Sequence, residues 1–295
     1  MKRGRKMVCN ACPRNCDIDR DDRKGFCGVG EKFVVARAAK HYWEEPVISG
    51  TEGSGAVFFC GCNLRCAFCQ NFELSRAEIG KEISDEHLTE IFARLVAEGA
   101  HNLNLVTPTH YAERLAKVLS RYHSPVPVVY NCGGYEKIET LRKLEGLVDV
   151  YLPDFKYISA ERAKRYSLAP DYFENASAAI LEMRRQQPED IIENGLMKKG
   201  LIIRHLVLPK NTNQSKLIFD WIKENLGTKT YISLMAQYTP CGRLDELPEL
   251  DRKITRREYE KVVSYLEELG FENVFLQELS SAERGFIPDF DLTGV

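Results

Sequence analysis

The chain has 295 residues, 44% hydrophobic and 28% charged, with 41 basic residues against 43 acidic ones for a net charge of −2. That composition supports a large buried core, excludes a fibrous or disordered chain, and gives no overall field to attract nucleic acid. No apolar run approaches the roughly 18 residues of a membrane span, and no apolar signal segment follows the basic start at residues 1–6. The sequence therefore reads as a cytoplasmic protein.

Residues 1–32 contain almost no apolar run and are rich in Cys, Asp and Arg. Such a segment cannot bury a core of its own and is expected to fold around a metal. Cys9, Cys12, Cys16 and Cys27 supply four thiols, enough for a zinc site or an auxiliary 4Fe-4S cluster. We therefore expect two domains: a cysteine-rich metal-binding extension over 1–32, and a barrel over 33–295 that ends in a helix and a strand. Residues 33–50 read as extended, hairpin-like structure. A turn-rich stretch at 50–55 precedes a strand at 56–60.

Beyond that point the pattern alternates. Short apolar runs predict strands at 102–106, 127–130, 148–152, 201–208 and 230–235. Helical periodicity predicts helices at 86–98, 111–122, 135–144, 160–167, 172–187, 214–226 and 256–269. In the first helix Leu88, Ile91, Phe92, Leu95 and Val96 share a face, between an N-cap at Ser84 and a stop at Gly99. Strands alternating with helices imply a parallel sheet with crossover helices. Six such units and a last strand at 273–276 predict an α/β fold, a partial (β/α)6 barrel of the TIM type. The basic run at 252–257 begins a helix and reads as a solvated face.

Ten cysteines in a chain without an export signal, most of them in two tight clusters, argue for metal over disulfides. The second cluster is Cys62-Asn-Leu-Arg-Cys66-Ala-Phe-Cys69. Three thiolates on one short loop bind three irons of a cubane and leave the fourth open to a ligand, whereas structural zinc takes four ligands. Cys60, at a strand end just outside the triplet, reads as a small buried hydrophobe. Cys132 and Cys241 stand alone at strand ends and read as buried thiols.

A Cys-x3-Cys-x-aromatic-Cys run directly after a first strand, with Phe68 as the aromatic, resembles the radical S-adenosylmethionine superfamily. The resemblance covers most of residues 50–240. It implies that Cys62, Cys66 and Cys69 hold a catalytic 4Fe-4S cluster, which cleaves S-adenosylmethionine to a 5′-deoxyadenosyl radical. Within the superfamily the chain resembles the pyruvate formate-lyase activating type, the activators of glycyl radical enzymes. Asp154-Phe-Lys156 and Arg204, in Ile203-Arg-His-Leu-Val-Leu-Pro209, carry that likeness.

The resemblance places Asp154 and Lys156 at the methionine end of the cofactor, with Asp154 beside a monovalent cation. Arg204 faces the cofactor carboxylate, Met235 and Gln237 line the same pocket, and Asn131 contacts the ribose. Phe68, Asn71, Thr107 and Thr109 complete the expected cofactor contacts. The implied partners are a glycyl radical enzyme, or another protein or peptide substrate, and a flavodoxin or ferredoxin reductant. Barrel active sites lie at strand C-terminal ends. Asn131, Asp154 and Met235 fall just past apolar runs, and Arg204 lies within one and so faces inward.

Two departures concern the substrate. Where this type has Gly-Gly-Glu-Pro for the cofactor amino group, the chain has Thr107-Pro-Thr-His110, which leaves three alternatives: the Thr107 backbone or the Thr109 hydroxyl replaces the carboxylate, or His110 has a new role, although a lone His is more often structural. The ferredoxin-like insertion after the triplet is absent. Two alternatives stay open: radical chemistry on a small molecule or peptide, and an iron–sulfur carrier or interaction protein without turnover.

Overall fold

Four of the strands are buried at every position, and this sets the layers. Ser54–Phe59, Leu103–Val106, Val128–Cys132 and Val150–Pro153 show no polar-out alternation, the mark of a parallel sheet covered on both faces. The computed structural model describes residues 8–279 and 288–295; the basic start at 1–6 lies outside them. Among the described residues the strands are β1 (Phe33–His41), β2 (Ser54–Phe59), β3 (Lys81–Ile83), β4 (Leu103–Val106), β5 (Val128–Cys132), β6 (Val150–Pro153), β7 (Ile191–Glu193), β8 (Leu196–Leu206), β9 (Tyr231–Met235) and β10 (Val274–Leu276). They form one sheet in the order β10-β9-β8-β6-β5-β4-β2-β1-β3, with β7 paired to β8.

From β2 to β10 the path is parallel throughout; β1 and β3 add antiparallel pairings at one edge. The sheet curls as in a TIM-type barrel and does not close. Crossover helices cover its outside: α3 (Asp85–Ala97), α4 (Ala112–Tyr122), α6 (Ala160–Ser167), α7 (Tyr172–Gln186), α8 (Thr212–Leu226) and α9 (Arg256–Leu269), with one-turn helices α1 (Pro46–Ser49), α2 (Phe72–Ser75) and α5 (Ile138–Leu141) in the connections. Helix α3 begins as expected, with the Ser84 hydroxyl accepting from the His87 N–H at 3.1 Å. No helix among the described residues is long and apolar enough to cross a membrane.

Two expectations need correction. The helix expected at 135–144 shrinks to α5 and a 3-10 turn over Arg142–Leu144. Lys137 is extended, and the Tyr135 carbonyl accepts from the Asn63 side chain at 2.7 Å, so the chain cannot turn helical earlier. The strand expected at 201–208 begins at Leu196, because β7 and β8 form a hairpin. Asn194 and Gly195, both at positive φ (52° and 78°), make its two-residue turn.

Three connections position the site. Strand β1 runs antiparallel to β2 and pairs His41 with Ser54, at the start of β2. The chain therefore leaves β1 at the N-terminal ends of the parallel strands and re-enters the barrel as α1, with Pro46 in its first turn. Ile48 of α1 packs among Val129, Val150, Leu152, Met197 and Ile202. Residues 288–295 return to β1: Leu292 N–H donates to Ala36 and Ala38 N–H to Thr293, at 3.0 and 2.9 Å.

The cysteine-rich segment docks on the triplet loop. Cys62 N–H donates to the Cys27 carbonyl at 3.3 Å. The approach needs Gly61, which has φ +86° and whose added Cβ would meet that carbonyl at 2.6 Å. Arg14 lies over Phe26, 4.0 Å from the ring centroid, and donates to the Asn63 carbonyl at 2.7 Å.

Candidate active site

The C-terminal ends of the strands converge on a cavity of about 760 Å³. Of the residues expected to form the site, Cys66, Phe68, Cys69, Asn71, Asn131, Asp154, Lys156, Arg204, Met235 and Gln237 line it. Asp154 is the centre of its polar wall. Its carboxylate accepts from Lys156 Nζ at 2.5 Å and from Arg204 at 2.8 Å. Arg204 also donates to Asn131 Oδ1 at 2.7 Å and reaches Glu44 at 3.4 Å.

Burial alone would raise the Asp154 carboxyl, but Arg204 and Lys156 outweigh it and hold the group below its ordinary range. Burial would likewise lower the Lys156 ammonium, and Asp154 reverses this, pushing it up to about 12. Both ions are therefore charged at neutral pH, and they form a fixed donor–acceptor surface rather than an acid–base pair.

The triplet loop is held from three sides. Ala67 N–H donates to the Tyr166 carbonyl at 2.8 Å, and Arg243 N–H donates to the Ala67 carbonyl at 3.0 Å. Ser167 Oγ donates to Cys66 Sγ at 2.9 Å, a bond of the kind that tunes a cluster's potential. Burial, then the neighbouring Cys66 and Cys62, pushes the Cys69 thiol up to about 12, and burial also raises Cys62. Buried thiols near one another deprotonate most readily on a metal. Among the described residues no three His, Cys, Asp or Glu side chains stand in the geometry of a single-ion site. A cubane asks for something else: one thiolate per iron. Three soft donors on one loop, with an adjoining cavity rich in polar groups, fit such a cluster and a ligand beside it.

Thr107 and Thr109 are not brought to the cavity. Thr107 has φ +60°, and its N–H donates to the Asn131 carbonyl at 2.8 Å. The expectation that the Thr109 hydroxyl meets the cofactor is corrected: it turns into the core and donates to Glu136, at 2.5 Å. His110 is structural, as expected. Burial and then Arg20 push its imidazole down to about 3, so it is neutral, and its Nε2–H donates to the Cys60 carbonyl at 2.9 Å. Cys60 and Cys132 are buried, and Cys241 Sγ lies 3.4 Å from the Phe68 carbonyl oxygen.

Glu136 was not visible as special in the sequence. Burial pushes its carboxyl from the ordinary 4.5 up to about 7, offset in part by hydrogen bonds from Thr109 and Tyr130. The native state therefore keeps a proton between about pH 4.5 and 7 that the unfolded chain has lost, so this group makes stability fall as pH rises through that window. Glu136→Gln is expected to remove that slope and to gain on the order of 3 kcal/mol over the native residue at pH 8, with little gain at pH 4.5. Urea midpoints at the two pH values measure it. An effect of equal size at both would refute the buried-proton account.

Glu44, Glu45, Trp43 and Ser233 also line the cavity and were likewise missed. Their one local signal is an acidic pair before Pro46, which by itself marks only a helix start.

A family model of the 4Fe-4S single cluster domain matches residues 48–168, which contain the triplet. The uncharacterized protein MJ0674 of Methanocaldococcus jannaschii is 32% identical over 279 residues, covering 90% of this chain and 76% of that one. The chain belongs to the family of MJ0674. Among solved structures, Streptococcus suis SuiB bound to precursor peptide SuiA superposes with a TM-score of 0.52 at 14% identity, over 75% of this chain and 48% of that one. SuiB bound to S-adenosylmethionine gives 0.50 at 13% identity, over 77% and 48%. The chain thus spans about half the length of SuiB, and the likeness is one of fold.

Proposed function

We propose that the chain is a radical enzyme that cleaves S-adenosylmethionine reductively at a 4Fe-4S cluster held by Cys62, Cys66 and Cys69. The observation that carries this reading is a single cavity wall joining Cys66 and Cys69 to Asn131, Asp154, Lys156, Arg204, Met235 and Gln237. Cys62, Cys66 and Cys69 would hold the cluster, which when bound would supply the electron for reductive cleavage of the sulfonium and so the means of hydrogen abstraction from a substrate. The protein's share is binding, orientation and exclusion of water. Arg204 offers its guanidinium to the methionine carboxylate while Asp154 and Lys156 hold the end of the chain. Asn131 meets the ribose, and Phe68, Asn71, Met235 and Gln237 pack around the cofactor.

In this reading the hydrogen donor is a glycine of a partner glycyl radical enzyme, supported by Asp154-x-Lys156, Arg204 and the open side of the barrel. A second reading takes a small molecule or peptide as donor, favoured by the carboxylates Glu44 and Glu45 that line the cavity. Flavodoxin or ferredoxin supplies the electron in the cytoplasm. Cys9, Cys12, Cys16 and Cys27 hold a second metal centre, 4Fe-4S or zinc. Its support is the spacing of the four thiols in a segment without a core of its own, for no three of them stand as a single-ion site among the described residues; Phe26 N–H donates to Cys16 Sγ at 3.4 Å.

The test is anaerobic incubation of the dithionite-reduced protein with S-adenosylmethionine. Equal amounts of methionine and 5′-deoxyadenosine are expected, and an absence of both would sink the proposal. The choice of donor is read from label. Deuterium moving from α-deuterated glycine of a candidate partner into 5′-deoxyadenosine, with a glycyl doublet in paramagnetic resonance, supports the first reading. Transfer from a free amine or peptide supports the second.

A further inference from the structure

The cavity is also lined by Glu44 and Glu45, two carboxylates to which the proposed reading gives no cofactor contact. Glu45 is 7% exposed, and its Oε2 has no hydrogen-bond partner. It occupies the N-cap position of α1, yet its side chain makes no capping bond, so the helix does not account for it. A buried carboxylate oxygen left unpaired is destabilising.

Among the described residues lining the cavity, three carboxylates (Glu44, Glu45 and Asp154) face two cations, Lys156 and Arg204. Asp154 engages both cations closely, at 2.5 and 2.8 Å, whereas Glu44 lies 3.4 Å from Arg204 and accepts from Asn131 Nδ2 at 3.3 Å. His41, the remaining titratable group on the wall apart from the cysteines and Tyr42, is held toward its neutral form, first by burial and then by Arg37. By formal charge the wall holds one carboxylate more than it has cations, and the Glu44–Glu45 pair answers this by holding a proton. Burial raises the carboxyls of both glutamates, and Arg204 only partly offsets it. An arriving cation would restore their ionised form.

We propose that Glu45, assisted by Glu44, binds a protonated primary amine of the substrate. This deepens the radical reading by naming the substrate's chemical class, and it rests on that reading for the chemistry after binding. Tyr42, Trp43, Phe275 and Leu276 also line the cavity. Trp43 is 62% exposed and Leu276 51%. These apolar walls suit an aliphatic stem behind a cationic head, from either a free amine or a lysine side chain in a peptide.

The experiment uses anaerobically reconstituted protein saturated with S-adenosylmethionine and measures equilibrium binding by titration calorimetry. One arm compares 1-aminopentane with 1-pentanol. The other compares acetyl-Gly-Lys-Gly-amide with its norleucine counterpart. At least one amine is expected to bind about tenfold or more tighter than its neutral partner, and the arm in which it does so identifies the source. The advantage is expected to vanish in Glu45→Gln and to shrink in Glu44→Gln, with S-adenosylmethionine binding retained. Equal binding of amines and isosteres in the native protein overturns the proposal, whatever the variants' folding. So does an advantage that survives in Glu45→Gln, or a tenfold loss of S-adenosylmethionine affinity there, which would make the cofactor's own ammonium the cation. A protein that binds the amine but forms no 5′-deoxyadenosine would sink the radical reading and leave this one standing.

Discussion

Replacing Cys62, Cys66 and Cys69 together by Ala is expected to remove about four irons per chain and to abolish 5′-deoxyadenosine formation. Anaerobic iron, sulfide and zinc analysis measures the first effect, and it separates the two cysteine groups at the same time. Iron and zinc remaining in the variant belong to the segment carrying Cys9, Cys12, Cys16 and Cys27. A second cluster there would leave about four irons, and zinc would leave one ion in their place. Cys60→Ala is the control. That residue is 0% exposed and packs where a Cβ on Gly80 would stand, so its loss is expected to leave the iron count unchanged. A triple variant with native iron content would end the assignment. The fold should survive the change, because the loop keeps its backbone bonds to Tyr166, Cys27 and Arg243.

Arg204→Met is expected to be the most destabilising single change in the cavity, by about 3–5 kcal/mol. The guanidinium is partly buried, which by itself would lower its pKa, but Asp154, Glu45 and Glu44 outweigh this and raise it. Methionine fills the space but leaves three carboxylates with one remaining cation, Lys156. The sign of the pH dependence is set by Asp154. Its folded-state carboxyl lies below its ordinary 3.8, so its favourable contribution is complete above that value and is lost as pH falls through the depressed one. The deficit of the variant should therefore be largest at neutral pH and shrink in acid, where the carboxylates no longer need a counter-ion. Urea midpoints from pH 3 upward test this, and a deficit that grew on acidification would contradict the charge argument.

The cysteine triplet was legible in the sequence because its information is local: the ligands, the aromatic and the preceding strand all lie within some fifteen residues. Asn131, Asp154, Lys156, Arg204 and Met235 were legible as members of the cavity wall because alternation fixes which strand ends share a rim. Glu44 and Glu45 were not, because their position depends on β1 running antiparallel to β2 and on the chain turning back inside, a long-range pairing with no periodic trace. Thr109 misled for the opposite reason. Its place after β4 is right for a ligand contact, but the unseen Glu136, brought near by the loop after β5, takes its hydroxyl. The β7–β8 hairpin carried a local signal in Asn194-Gly195, which the stronger apolar run at 201–208 obscured.

The unclosed sheet carries a geometric consequence. The end of β1, at His41, and strand β10, at one edge of the sheet, both border the cavity, so among the described residues its wall joins the first strand of the chain to the last. Such a pocket is complete only once both ends of the fold are in place, and a partly folded chain has no site to offer.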